Sequence, residues 1–168
     1  MTAHRYNGEF ITIIIKIATM PRLTKSLTLS LLQARETTMG FFRPILNRHG
    51  LTEQQWRIIR VLIERRTVDF QQLADVTCIL PPSMTGILTR MQRDGLILKL
   101  RPENDQRKVF ITLTAEGQDL YETVSPEIEQ RYHDIEMQLS HEHLEQLMAL
   151  LEEVKQLQVG AEQGEGTK

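Results

Sequence analysis

Two prolines and a glycine set the limits of one helix in this 168-residue chain, and the stretch just after that helix constrains the fold further. In "CILPPSMTGILTRMQRDGL", residues 78–96, Pro81 and Pro82 suit only a first helical turn, because neither carries a backbone donor. Gly95 is placed to take the left-handed conformation that closes the last turn. The pattern predicts a helix over roughly residues 82–94, with Met84, Ile87, Leu88 and Met91 on one face. The other face carries Ser83, Thr85, Gly86, Thr89, Arg90 and Arg93, which combine little bulk with several donors. A short helix precedes it, opened by Asp69 with Gln72 three residues on and burying Phe70 and Leu73. Two such helices joined tightly describe a helix-turn-helix, whose second member fits a DNA major groove about 12 Å wide. Alone, the second helix is equally compatible with an amphipathic helix whose polar face is merely solvated.

The next residues weigh against that bland alternative. Residues 96–101 and 109–113 are β-prone runs, and residues 102–108 between them are polar turn formers. They predict a β-hairpin directly after the helix, a wing, with Asn104, Asp105, Gln106, Arg107 and Lys108 at its tip.

Helices flank this unit. Apolar residues recur at helical spacing over residues 27–46 until "NRHG" stops them. Thr52 with Gln55 forms a capping box ahead of an apolar stripe of Trp56, Ile59 and Ile63. Thr114 reads as the cap of a helix through Leu120, Val124, Ile128, Tyr132, Ile135 and Leu139, which Pro126 should kink or divide at Ser125. A last helix starts near Ser140, with Leu144, Leu147, Leu151 and Val154 as a short heptad-like seam. Apolar seams at both ends of the core suit either an intramolecular bundle or a two-fold dimer.

The charge is uneven. Residues 1–112 hold 17 Lys/Arg against 9 Asp/Glu and the rest hold 3 against 13, so only the first part is suited to an anionic partner. One cysteine, Cys78, allows no internal disulfide and fits a reducing, cytoplasmic setting; lying among Val76, Ile79 and Leu80, it is expected to be buried and unreactive. "FITIIIKIA" is too short for a membrane span and, interrupted by Lys16, poor as a signal peptide. Residues 1–22 read as a dispensable extension, with Met20 an alternative start.

"DGLILKLRPENDQRKVFITLTAEG" resembles the signature of the MarR family of winged helix-turn-helix regulators, with its Asp-x-Arg wing (Asp105, Arg107) and "LT.EG" helix opening. The likeness spans roughly residues 27–157. "SLTLSLLQARETTMGFFRPILNRHGLTEQQWRIIRVL" and "CILPPSMTGILTRMQRDGL" further resemble the subgroup that controls homoprotocatechuate (4-hydroxyphenylacetate) degradation operons. The resemblance implies a mainly α fold with a small β-wing, carried as a homodimer by N- and C-terminal helices. It implies a dimerisation helix over residues 23–50, a winged helix-turn-helix over 51–113, dimerisation helices over 114–158 and a flexible tail over 159–168. The partner would be double-stranded DNA bearing a pseudo-palindromic operator. Arg107 would probe the minor groove, Asp105 would brace it by an ion pair, and Arg101 and Lys108 would hold phosphates. Ser83, Thr85, Thr89 and Arg90 would read bases and phosphates from the recognition helix.

A regulator of this subgroup needs an aromatic carboxylate effector such as 4-hydroxyphenylacetate, and so an arginine beside apolar walls. Arg35 and Met39 on the first helix, with Trp56 and Arg57 on the second, offer that mixture; a surface salt bridge for Arg57 and a core position for Trp56 are the alternatives. No catalytic group is expected, since "PEND" has no accompanying nucleophile or phosphate loop. No metal or cofactor is expected either: His141 and His143, two residues apart on a helix, point in different directions. A helical dimer that binds protein or small molecule without DNA is the competing class.

Overall fold

The computed structural model describes residues 26–102, 105 and 107–158. The expected extension (1–22), the tail (159–168) and the wing residues Asn104 and Gln106 lie outside the described residues. The chain divides into two compact units, Met1–Phe41 and Phe42–Lys168. In the first, the described residues open the long helix α1 (Leu27–Arg48), where Leu27 and Leu32 are exposed. The helix ends in the second unit, where Gly50 takes φ 67° and turns the chain.

Capping sets the order of the second unit. Thr52 opens α2 (Glu53–Arg65) with a complete box: its hydroxyl accepts from Gln55 N–H at 3.2 Å and its own N–H donates to Gln55 Oε1 at 2.9 Å. Trp56, Ile58, Ile59 and Leu62 are buried, and α2 packs against later elements on several sides. Residues Thr67–Asp69 form a strand, β1, that the sequence pattern did not predict. It pairs antiparallel with β3 (Phe110–Leu113), which pairs on its other side with β2 (Ile97–Leu100). The wing is therefore part of a three-stranded sheet in the order β1-β3-β2, not a free hairpin. Val68 opposite Ile111 supplies the buried contact; three residues are too few to display an alternating pattern.

Asp69 ends β1 and caps α3 (Phe70–Thr77), its carboxylate accepting from Gln71 and Gln72 N–H. Leu73 is fully buried as expected, whereas Phe70 is only half-buried; its N–H donates to the Val109 carbonyl at 2.9 Å and ties α3 to the wing. The recognition-helix prediction is matched closely by α4 (Pro81–Arg93), with both prolines in the first turn and Gly95 at φ 76° after it. Met84, Ile87, Leu88 and Met91 are 0–6 % exposed. Each such burial contributes about 1.5–3 kcal/mol, so this quartet anchors the helix.

Thr114 caps α5 (Ala115–Leu139) and also donates to the Gly95 carbonyl at 2.6 Å. A Cβ on Gly117 would lie 2.2 Å from the Leu96 carbonyl oxygen, so only glycine lets α5 start this close to β2. Of the two outcomes expected at Pro126, a kink or a division at Ser125, the division does not occur: the helix runs through the proline. The proline is exposed, and buried Val124 and Ile128 hold the backbone on either side, so packing offsets the missing hydrogen bond. Ser140 caps α6 (His141–Lys155), none of whose residues is buried in this chain. No helix among the described residues is long and apolar enough to cross a membrane.

Candidate nucleic-acid interface

With its apolar quartet buried, α4 can turn only one face outward. Ser83, Thr85, Thr89 and Arg90 are all exposed there. The Thr85 and Thr89 hydroxyls donate to the carbonyls of Pro81 (3.2 Å) and Thr85 (2.8 Å), which leaves their oxygens free to accept. Gly86 keeps the face flat: a Cβ there would meet only the Arg90 Nη1, at 3.7 Å. Arg93 is partly committed, its Nε pairing with Asp94 at 2.9 Å, and the hydrogen bond and charge of that carboxylate raise its already high pKa.

From the end of α4 the chain turns through Gly95 into β2, against which the helix packs. Arg101, Arg107 and Lys108 are exposed on the wing. Asp105 differs in detail from expectation. Its Oδ1 accepts from the backbone N–H of Arg107 at 3.1 Å, and Lys108 N–H donates to the Asp105 carbonyl at 3.2 Å. Spacing of two residues brings an Asp carboxylate to the backbone rather than to the guanidinium, an Asx turn. Among the described contacts, Asp105 thus shapes the tip and leaves the Arg107 side chain outward.

The four expected effector residues divide between the two units. Arg35 and Met39 belong to the first unit, where Arg35 is exposed and pairs with Glu36 at 2.5 Å. Trp56 is a core residue, buried and stacked on Tyr121 with ring centroids 5.5 Å apart. Arg57 does line a cavity of about 320 Å³, together with Arg60, Val61, Glu64, Val76 and Tyr121. Its Nη1 donates to the Thr77 carbonyl at 2.6 Å, while its Nε is buried without a hydrogen-bond partner among the described residues. An unpaired buried N–H costs about 1–3 kcal/mol.

Arg60 is absent from the residues expected on sequence grounds. It lies one turn beyond Arg57, with Glu64 another turn on, so a 57, 60, 64 stripe was the available signal. Its Nη1 donates to Tyr132 Oη at 3.0 Å and its guanidinium sits 5.9 Å from that ring's centroid. Two arginines, a carboxylate and an aromatic wall suit a hydroxylated aromatic acid.

Cys78 contradicts its expected burial, for it is exposed. As the residue after α3 it takes the left-handed conformation (φ 52°, ψ 43°), which turns its side chain away from the core that buried Ile79 enters. Among the described residues no group of three metal-ligating side chains converges. His141 instead bridges Glu136 (2.6 Å) and Glu145 (3.1 Å), and those bonds, the one to Glu136 first, raise its pKa above the ordinary 6.5.

Comparison with known proteins agrees with this geometry. Residues 51–109 match the family model described as the MarR family. The chain is 59 % identical over 128 residues to the homoprotocatechuate degradative operon repressor of Escherichia coli, covering 76 % of this chain and 86 % of that one. It is 50 % identical over 141 residues to the HTH-type transcriptional regulator FarR of Neisseria gonorrhoeae, covering 83 % and 97 %. Among solved structures, NadR in complex with 4-hydroxyphenylacetate superposes with a TM-score of 0.73 at 51 % identity, covering 83 % of this chain and 100 % of that one.

Proposed function

The chain belongs to the MarR family, and from that premise we propose that it represses an aromatic-acid degradation operon of the homoprotocatechuate type, binding its operator as a cytoplasmic homodimer until a hydroxyaryl acid releases it. The observation that carries the DNA-binding half is the division of α4, whose apolar quartet is buried while Ser83, Thr85, Thr89 and Arg90 all face outward. These groups would read the major groove, Arg107 the minor groove, and Arg101 and Lys108 the phosphates, with Asp105 shaping the wing tip. Exposed Leu147, Met148 and Leu150 on α6 support a partner helix from a second copy, which would set two recognition helices on a pseudo-palindromic site.

The cavity beside Arg57 supports the effector half. A carboxylate would pair with Arg57 and Arg60, the ring would lie against Val61, Val76 and Tyr121, and a phenolic hydroxyl would donate to Glu64. Arg60 and Glu64 are separated by about 6 Å of helix rise, which lets one small ligand reach both signs of charge. NadR, half identical in sequence, is a relative solved in complex with 4-hydroxyphenylacetate. A helical dimer without DNA would have no use for an exposed Arg90 and Arg107 beside a bare hydroxyl face.

The test is duplex binding from the chain's own promoter region across salt. Six to ten phosphate contacts imply an affinity loss of about 10³–10⁵ between 50 and 200 mM salt, and a nearly flat response would sink the DNA-binding reading.

A further inference from the structure

Arg57 belongs to two structures at once. It lines the cavity, and it also grips the end of the first helix of the helix-turn-helix. Thr77, whose carbonyl it holds at 2.6 Å, is the last residue of α3, and that carbonyl is among the final ones a helix leaves without an internal partner. Four residues later, at Pro81, the recognition helix begins. Between them Cys78 takes the left-handed conformation, Ile79 N–H returns to the Ala74 carbonyl at 3.0 Å, and Leu80 starts α4 with no side-chain cap. The position of this turn therefore depends on how α3 is finished, and a cation at its C-terminus is the finishing group.

The grip is also imperfect. It leaves Nε buried without a hydrogen-bond partner among the described residues, a cost that a better arrangement of the guanidinium would relieve. A carboxylate entering the cavity offers that arrangement: two acceptor oxygens in the plane of the fork and a full opposite charge, against one neutral carbonyl. We propose that Arg57 is the coupling residue, exchanging the Thr77 carbonyl for an effector carboxylate and so loosening the turn that sets the recognition helix. This rests on the proposed effector role of the cavity and adds to it the route by which occupancy reaches DNA. The energetic requirement is met in kind, because the ligand interacts differently with the two positions of one side chain.

The single cysteine makes the turn observable. Cys78 is exposed and adjacent to Thr77, so its reaction rate with neutral 4,4′-dithiodipyridine reports on the turn in the DNA-free protein. In wild type, saturating 4-hydroxyphenylacetate should raise that rate at least threefold and weaken operator binding within the roughly 5–150-fold range usual for coupled sites. Arg57→Met should show a raised thiol rate and weaker operator binding without ligand, with less than a threefold further change in either at saturating ligand. Arg57→Lys, which keeps the charge, serves if the methionine variant fails to fold, and should retain only part of both responses. Full wild-type release and thiol acceleration in Arg57→Met at saturation would overturn the coupling role and leave Arg57 a ligand contact at most. Absence of release in wild type with any of 4-hydroxyphenylacetate, homoprotocatechuate or benzoate would instead sink the effector reading; the ligand-free thiol and operator measurements would still decide whether Arg57 holds the turn.

Discussion

The proposed DNA-facing surface and the cavity on α2 place their charged groups in opposite ways. On α4 the side chains proposed to meet DNA project from a helix whose other face is buried, and Arg90, with Arg107 and Lys108 on the wing, is exposed. In the cavity the charged groups also hold the fold: Arg57 ties α2 to the end of α3, and Arg60 ties α2 to Tyr132. Function and stability are separable in the first region and joined in the second. A surface read by a rigid partner gains from being independent of the fold, whereas a site that must transmit occupancy has to be part of what holds it.

The sharpest way to break this contrast is to remove the support under the DNA-facing groups. Met84→Ala should cost about 2–5 kcal/mol of stability, seen in chemical denaturation, and take operator binding with it. Retained stability would mean α4 is held by something other than its apolar quartet. Next in size is Arg107→Ala, expected to cost about 1–3 kcal/mol of operator binding while leaving thermal unfolding and the oligomeric state unchanged. A lowered melting temperature there would make the wing tip structural and erase the distinction. Thr52→Ala should lose about 1 kcal/mol of stability through the broken capping box, with no effect on operator affinity measured well below the unfolding transition.

The smallest effect is pH-dependent. His141 has its pKa raised by Glu136 and then Glu145, so the stability it adds is fully present below its ordinary value of 6.5 and disappears as pH rises through the raised folded value. His141→Gln should therefore be less stable than wild type in acid and equal to it in alkali. Its exposure on α6 makes the difference slight, and equal curves at every pH would show that the bridge contributes nothing.

Legibility in the sequence divides along the same line. Local rules suffice for α4, whose prolines, glycine and four apolar positions specify both ends and the buried face, and for the Thr52 box, whose partner is three residues away. They fail where distant elements meet. Strand β1 exists because Val68 meets Ile111, a pairing between residues far apart in the chain. The proline rule allows either a kink or a break at Pro126, and the continuous α5 is selected by what Val124 and Ile128 pack against. Cys78 is outward because α3 ends in a left-handed residue, though its neighbours are apolar. The cavity needs α2, α3 and α5 together, so the sequence pointed to Arg57 beside Trp56 but offered no more than the 57, 60, 64 spacing for Arg60.

The most direct measurement is a titration of the operator-bound dimer with 4-hydroxyphenylacetate at fixed, moderate salt, followed by fluorescence anisotropy of the labelled duplex. A saturable fall in anisotropy, matched by the ligand-induced change in Cys78 reactivity, is the predicted result. An operator complex that forms and stays intact at ligand concentrations saturating the protein would contradict the account.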